Sequence, residues 1–181
     1  MIREWMNIHQ STATSFDELF MQEYGRVVAI AARVMGNDTE AEDVAQDVFS
    51  SYYSRHPADA SYARSWLHRA AVHTALNTIR GWRRRDTRET RDMRQRERIL
   101  THQELALDPQ VALEISEERQ IVRTALAALP EKSASVLALR YSGLSYTEVA
   151  DALGVNAGQI GTLLRRAETA LRKELTHETS R

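Results

Sequence analysis

Apolar residues recur every three or four positions along most of this chain and nowhere alternate with polar ones at a spacing of two. That period marks helices with one buried face, so the chain is expected to be all-α. Phe16, Leu19, Phe20, Tyr24, Val27, Val28, Ile30, Ala31 and Val34 form the first stripe. It opens at SFDE, where Ser15 and Glu18 have capping-box spacing, and stops at Gly36. A second stripe runs from about Thr39 to Tyr53 through Ala41, Val44, Ala45, Val48, Phe49 and Tyr52. SRHPADAS then interrupts the period, since Pro57 disfavours helix at His56. The third long helix is YARSWLHRAAVHTALNTIRGWRRR, with Trp66, Leu67, Ala70, Ala71, Ala75, Leu76 and Ile79 on a broad apolar face.

Beyond Arg85 the period weakens, and charges of both signs crowd together in RDTRETRDMRQRERILTHQELALD, the pattern of a linker or a solvated helix. Asp108-Pro109 restarts order with a cap and a proline at the first helical position, and the helix it opens ends before Pro130. Three shorter helices follow, at about Glu131 to Tyr141, Tyr146 to Leu153 and Ala157 to Leu175. The expected organisation is two small helical domains joined by a flexible linker. Residues 1–14 form a disordered N-terminal extension, 15–95 the first domain, 96–108 the linker and 109–177 the second domain.

The second domain contains LSYTEVADALGVNAGQIGTLLRRAE. Ala150, then Gly154 in the turn, then Val155 and Ile160, is the spacing of a helix-turn-helix. The small residue lets two helices cross closely, glycine makes the turn, and the branched residue closes the core. Burying Ile160, Leu164, Ala167, Leu171 and Leu175 leaves Gln159, Thr162, Arg165 and Arg166 outward, side chains whose geometry suits base edges and phosphates. Gly158 and Gly161 are out of place in such a helix, because glycine costs about 1 kcal/mol against alanine.

Charge sharpens this picture. The chain is nearly neutral, with 24 basic and 25 acidic residues. Yet Met1 to Ala60 holds 4 basic and 10 acidic residues, whereas Ser61 to Leu100 holds 11 arginines and 4 acids. Two oppositely charged blocks call for two different partner surfaces, one of them nucleic acid, or for mutual attraction of two solvated faces. There is no cysteine, and no two histidines stand three or four apart; His68 and His73 are five apart. No metal site, cofactor site, nucleophile or phosphate-binding glycine loop is recognisable, so no cofactor and no catalysis are expected. MIREWMNIHQSTATS has no apolar core of a secretory signal and no stretch is apolar enough to insert in a membrane, which places the chain in the cytoplasm.

Four stretches in this order resemble bacterial RNA polymerase sigma factors of the extracytoplasmic function (ECF) subgroup: FDELFMQEYGRVVAIAARVMGN, AEDVAQDVF, SWLHRAAVHTALNTIRGWRRR and ALAALPEKSASVLALRYSGLSYTEVADALGV. The resemblance covers about Phe16 to Leu175. It implies a region 2-like domain that binds the polymerase clamp and the promoter's minus-ten element. A region 4-like helix-turn-helix domain would bind the flap and the minus-thirty-five element. Core RNA polymerase and promoter DNA are the implied partners, together with an anti-sigma factor.

Carried over, AEDVAQDVF matches the clamp-binding helix and makes Asp43, Gln46 and Asp47 its polymerase contacts. The three lie at i, i+3 and i+4 on one polar face, while Val44, Val48 and Phe49 turn inward. Residues 56–62 match the loop that captures an unstacked minus-ten base. The helix after it supplies Tyr62, Arg64, Trp66, Arg69, His73, Asn77, Arg80, Arg83, Arg84 and Arg85 to the minus-ten strand, the arginines on phosphates. Tyr62 and Trp66 are stacking platforms by chemistry, although Trp66, in register with Ala70, also fits a core position. His73 replaces the family's usual asparagine. In the recognition helix, Gly161 and Leu163 stand where the family usually places a lysine and an arginine. Base reading would then fall to Gln159, Thr162 and Arg166, with Arg165 on phosphate. A decoy that only sequesters an anti-sigma factor, and a stand-alone helix-turn-helix regulator, are the rival readings.

Overall fold

A computed structural model describes residues 2–89 and 109–179, with side chains described at 16–82, 84 and 117–177. Among the described residues there are seven α-helices and no strand: α1 Ile2–Met35, α2 Asp38–Arg55, α3 Ala63–Glu89, α4 Pro109–Ala128, α5 Glu131–Tyr141, α6 Tyr146–Leu153 and α7 Ala157–Thr179. The first helix is longer than its apolar stripe. Ser15 lies inside α1 rather than at its start, and residues 2–14, expected to be disordered, continue the helix. No proline or glycine in that stretch interrupts it. The linker expected at 96–108 lies outside the described residues. Pro109 opens α4, as its fixed φ and missing N–H favour.

α1, α2 and α3 pack around Val27, Ile30, Val34, Val48, Tyr52, Leu67 and Leu76, all buried. Gly36 ends α1 with φ of +68°, a left-handed conformation that side chains disfavour, and its N–H bonds to Ala32 O. Asn37 then caps α2, its side-chain oxygen accepting from Glu40 N at 3.3 Å. In the second half, α4 to α7 enclose Leu129, Val136, Leu139, Leu144, Val149 and Ile160.

The helix-turn-helix is built as its spacing predicts. Ser145 and Glu148 form a reciprocal capping box at the start of α6. Gly154 takes φ of +64° at its end, Val155 N bonds back to Ala150 O at 3.0 Å, and buried Ala150 and Ile160 meet the core. Asn156 starts α7, its Oδ1 accepting from Gly158 N at 2.9 Å.

The two helical halves pack against each other. α3 lies against α4, α5 and α6, α1 touches α4 and α5, and the buried residues of both halves form one continuous cluster. Polar bonds cross the same boundary. Arg80 of α3 donates from Nε to Ala127 O at 3.2 Å and from Nη2 to Leu129 O at 2.9 Å. Arg123 of α4 donates from Nη1 to Met35 O at 3.2 Å, and Arg26 of α1 meets Glu148 of α6 at 2.6 Å. A cationic side chain at a helix C-terminus satisfies carbonyls with no partner inside the helix and opposes the helix dipole.

Candidate polymerase and promoter interfaces

The acidic face of α2 follows directly from its period. Ala41, Val44, Val48, Phe49 and Tyr52 are buried, so Asp43, Gln46 and Asp47 stand exposed on the opposite side. Glu40, one turn earlier, is drawn partly inward beside Arg123 at 3.6 Å. Burial raises its carboxyl above the ordinary range, the Arg123 guanidinium opposes this, and Asp43 adds to it. Its Oε2 is buried and makes no hydrogen bond.

After α2 the chain turns through an aromatic cluster. The Tyr52 hydroxyl donates to Pro57 O at 2.7 Å, which fixes the loop, and His56 N bonds to Tyr52 O. His56 stacks on Tyr52 with centroids 5.1 Å apart and lies 4.8 Å from Trp66. Tyr62 meets His56 edge-on, with its hydroxyl 3.4 Å from Nδ1. Tyr62 is exposed, whereas Trp66 is half-buried and packed on the core. Trp66 therefore offers only part of its ring to a base. Tyr52 and His56 belong to the cluster although only the stretch as a whole was legible beforehand; their i, i+4 spacing across the helix end was the available signal.

The arginines of α3 do not form one free basic face. Arg64 is held by Glu23 at 3.1 Å and by Gln22 at 2.8 Å. Arg80 turns away from solvent onto the end of α4. Arg69 and Arg84 are exposed, and the side chains of Arg83 and Arg85 lie outside those described. His73 and Asn77 are exposed one turn apart, Asn77 Nδ2 lying 3.2 Å from His73 Nδ1, and His73 Nε2 is 3.9 Å from Glu131.

The first half also holds a buried pair that the sequence pattern did not expose. His68 and Glu23 are both buried, with His68 Nε2 at 2.8 Å from Glu23 Oε2. Burial lowers the His68 pKa from its ordinary value, against the raising effect of the Glu23 hydrogen bond and charge.

On α7, Gln159, Thr162, Arg165 and Arg166 are all exposed, and Ile160 and Ala167 anchor the opposite face. Leu163 packs against the core. It is partly buried there, whereas its neighbour Thr162 is exposed. Gly161 is exposed, and a Cβ there would meet only Tyr146 Cε2 at 3.8 Å, an ordinary contact. Among the described residues nothing requires this glycine.

Among the described residues there is no cluster of three metal-ligating side chains, and no helix is long and apolar enough to cross a membrane.

Comparison with known proteins joins these surfaces into one kind of molecule. Residues 19–85 match the family model for sigma-70 region 2, and residues 119–171 match that for sigma-70, region 4. The chain is 30% identical over 165 residues to the RNA polymerase sigma factor YlaC of Bacillus subtilis, covering 90% of this chain and 92% of that protein. It is also 30% identical to the ECF RNA polymerase sigma factor SigE of Mycolicibacterium smegmatis, over 94% of this chain and 65% of that one. Two solved structures share the fold. RpoE in complex with the anti-sigma factor NepR from Bartonella quintana is 20% identical, with TM-score 0.52 over 89% of this chain and 96% of that one. CnrH in complex with the cytosolic domain of CnrY is 22% identical, with TM-score 0.53 over 92% and 95%. This chain belongs to the RNA polymerase sigma factors of the ECF subgroup.

Proposed function

We propose that the chain binds core RNA polymerase through Asp43, Gln46 and Asp47 on α2 and reads its promoter with two separate elements. The aromatic cluster and α3 take the minus-ten strand. The outward face of α7 takes the minus-thirty-five element. The observation that carries this reading is the exposed acidic face on α2, in one chain with a helix-turn-helix whose outward side chains are Gln159, Thr162, Arg165 and Arg166. An acidic face suits a basic partner protein, and the outward set on α7 suits duplex DNA.

In this account the protein works by binding alone. Phosphate contacts from Arg69 and Arg84 hold the strand without reading it, while Tyr62 and the open part of Trp66 stack an unpaired base. The chain acts in the cytoplasm, where polymerase and promoter are. Its fold is shared with the sigma factor RpoE in complex with the anti-sigma factor NepR, and an anti-sigma factor is its third partner here.

Gel filtration of the purified chain with core polymerase tests the reading. Co-elution followed by promoter-dependent RNA synthesis supports it. Co-elution without synthesis would indicate a decoy, and DNA binding without co-elution would indicate a stand-alone regulator.

A further inference from the structure

Glu168 is an acid on the side of α7 that carries Arg165. Gly161, Arg165, Glu168 and Arg172 stand at i, i+4, i+7 and i+11, so they form one row along the helix. Arg165 and Arg172 are exposed and Glu168 is half-buried. Two exposed tyrosines border this row from the neighbouring helices. Tyr146, the first residue of α6, reaches its start, with Cε2 3.8 Å from the position a Cβ would take on Gly161. Tyr141, the last residue of α5, reaches further along, where its hydroxyl donates to Glu168 Oε1 at 2.8 Å. Arg165 lies between these two contacts along the row, and among the described residues no ion pair engages it.

The Tyr141 bond matters because of where the Glu168 carboxylate would otherwise go. It is three residues after Arg165 and four before Arg172, and an ion pair forms at either spacing. A pair with Arg165 would cancel the charge that suits a phosphate, and a free carboxylate turned outward would repel the DNA strand. The hydrogen bond from Tyr141 prevents both. Arg140, beside Tyr141, is engaged elsewhere: its Nη1 donates to Leu144 O at 3.2 Å and its guanidinium lies 5.6 Å over the Tyr146 ring. The Glu168 hydrogen bond raises the Tyr141 pKa above its ordinary value, so the hydroxyl keeps its proton and remains a donor.

We propose that Tyr141 is a positioning residue for promoter binding: its hydroxyl holds the Glu168 carboxylate away from Arg165 and leaves that guanidinium free for a DNA phosphate. The proposal rests on the assignment of the outward face of α7 to the minus-thirty-five element. Tyr141 acts through Glu168 and needs no contact with DNA. Because a phosphate contact carries no sequence information, the effect falls on grip and not on the choice of sequence. Leu139, Ile160 and Ala167 are buried where α5 meets α7, so the fold does not depend on a hydroxyl at the exposed edge of that contact.

Tyr141→Phe in the full-length chain keeps the ring and removes only the hydroxyl. It is expected to weaken binding to matched and scrambled upstream duplexes alike by several-fold, and to lower the salt dependence by roughly one unit, one phosphate contact being lost. The melting temperature should change little. Tyr141→Phe with Glu168→Gln is expected to recover both affinity and salt dependence, since an amide carries no charge to pair with Arg165. Tyr141→Phe added to Arg165→Ala is expected to change nothing further. In the free chain, the NMR signal of the Arg165 Nε–H group is expected to shift in Tyr141→Phe and to return in the double variant with Glu168→Gln. Wild-type affinity and salt dependence in Tyr141→Phe would overturn the proposal. A loss that Glu168→Gln does not recover, or a further loss on top of Arg165→Ala, would also overturn it. Absence of duplex binding by the wild type, with or without core polymerase, would instead count against the promoter reading. The Arg165 signal would still decide the role of Tyr141, and an unmoved signal would overturn it.

Discussion

His68 Nε2 sits 2.8 Å from Glu23 Oε2 with both side chains buried, a contact that ties α3 to α1 inside the first half. Burial dominates at the imidazole and lowers its pKa below the ordinary 6.5. Below pH 6.5 the unfolded chain takes up a proton at this position that the folded chain resists. The stability involved is therefore full above 6.5, is lost as pH falls towards the lowered folded value, and then levels off. Glu40, raised by burial, acts in the opposite sense as pH rises above its ordinary 4.5. The two are separated by His68→Gln, which keeps a donor for Glu23. Thermal melts between pH 7.5 and 5 are expected to show a falling Tm in the wild type and a flatter profile in the variant. Equal slopes would mean that His68 does not titrate between the two states.

The acidic face of α2 gives the second prediction. Asp43→Arg with Asp47→Arg should abolish core polymerase binding, because like charges brought together at an interface cost several kcal/mol. Both residues are exposed, so the melting temperature should change little. Undiminished competition for core polymerase by the folded double variant would remove this face from the interface.

At the helix-turn-helix, Gln159→Ala or Arg166→Ala should weaken binding to the matched upstream element by about 1 to 3 kcal/mol, and binding to a scrambled duplex by less. Gly161→Lys should strengthen binding to any duplex and steepen its salt dependence by roughly one unit, through one added phosphate contact. The site has room for the side chain, with only the edge of Tyr146 nearby. A salt-series titration on matched and scrambled duplexes reads all three variants. Equal losses on both sequences would mean that α7 positions the protein and reads no bases.

The capping box of α6 supports a stability prediction. Ser145→Ala removes the hydroxyl that accepts from Glu148 N and donates to Glu148 Oε2. The expected cost is about 1 kcal/mol, read by denaturant unfolding. The Glu148 carboxyl is held below the ordinary range first by the Ser145 N–H, then by its hydroxyl. Acid should therefore weaken the cap as pH falls below the ordinary 4.5. A variant as stable as the wild type would show that the box contributes nothing net.

What the sequence made legible was local. The α5 and α6 boundaries, the left-handed turn at Gly154, the inward set Val44, Val48 and Phe49, and the outward placement of Gln159, Thr162, Arg165 and Arg166 all follow from helical period and turn chemistry. What escaped was long-range. Arg80 and Arg64 have the composition of phosphate-binding arginines, but their destinations are Leu129 and Glu23, chosen by packing between distant segments. His68 fills a buried position on α3 where period alone favours an apolar residue. Part of the contact between the halves is made to carbonyls at helix ends, and these carry no side-chain signature.

Transcription from a randomised promoter library with core polymerase, with and without the purified chain, followed by mapping of the RNA start sites, tests whether this chain directs initiation. Chain-dependent starts are expected, preceded by two shared sequence blocks near minus ten and minus thirty-five. Asp43→Arg with Asp47→Arg should abolish these starts, and Gln159→Ala should relax only the upstream block. An absence of chain-dependent starts in a reaction where the polymerase is active and the chain is folded would contradict that role.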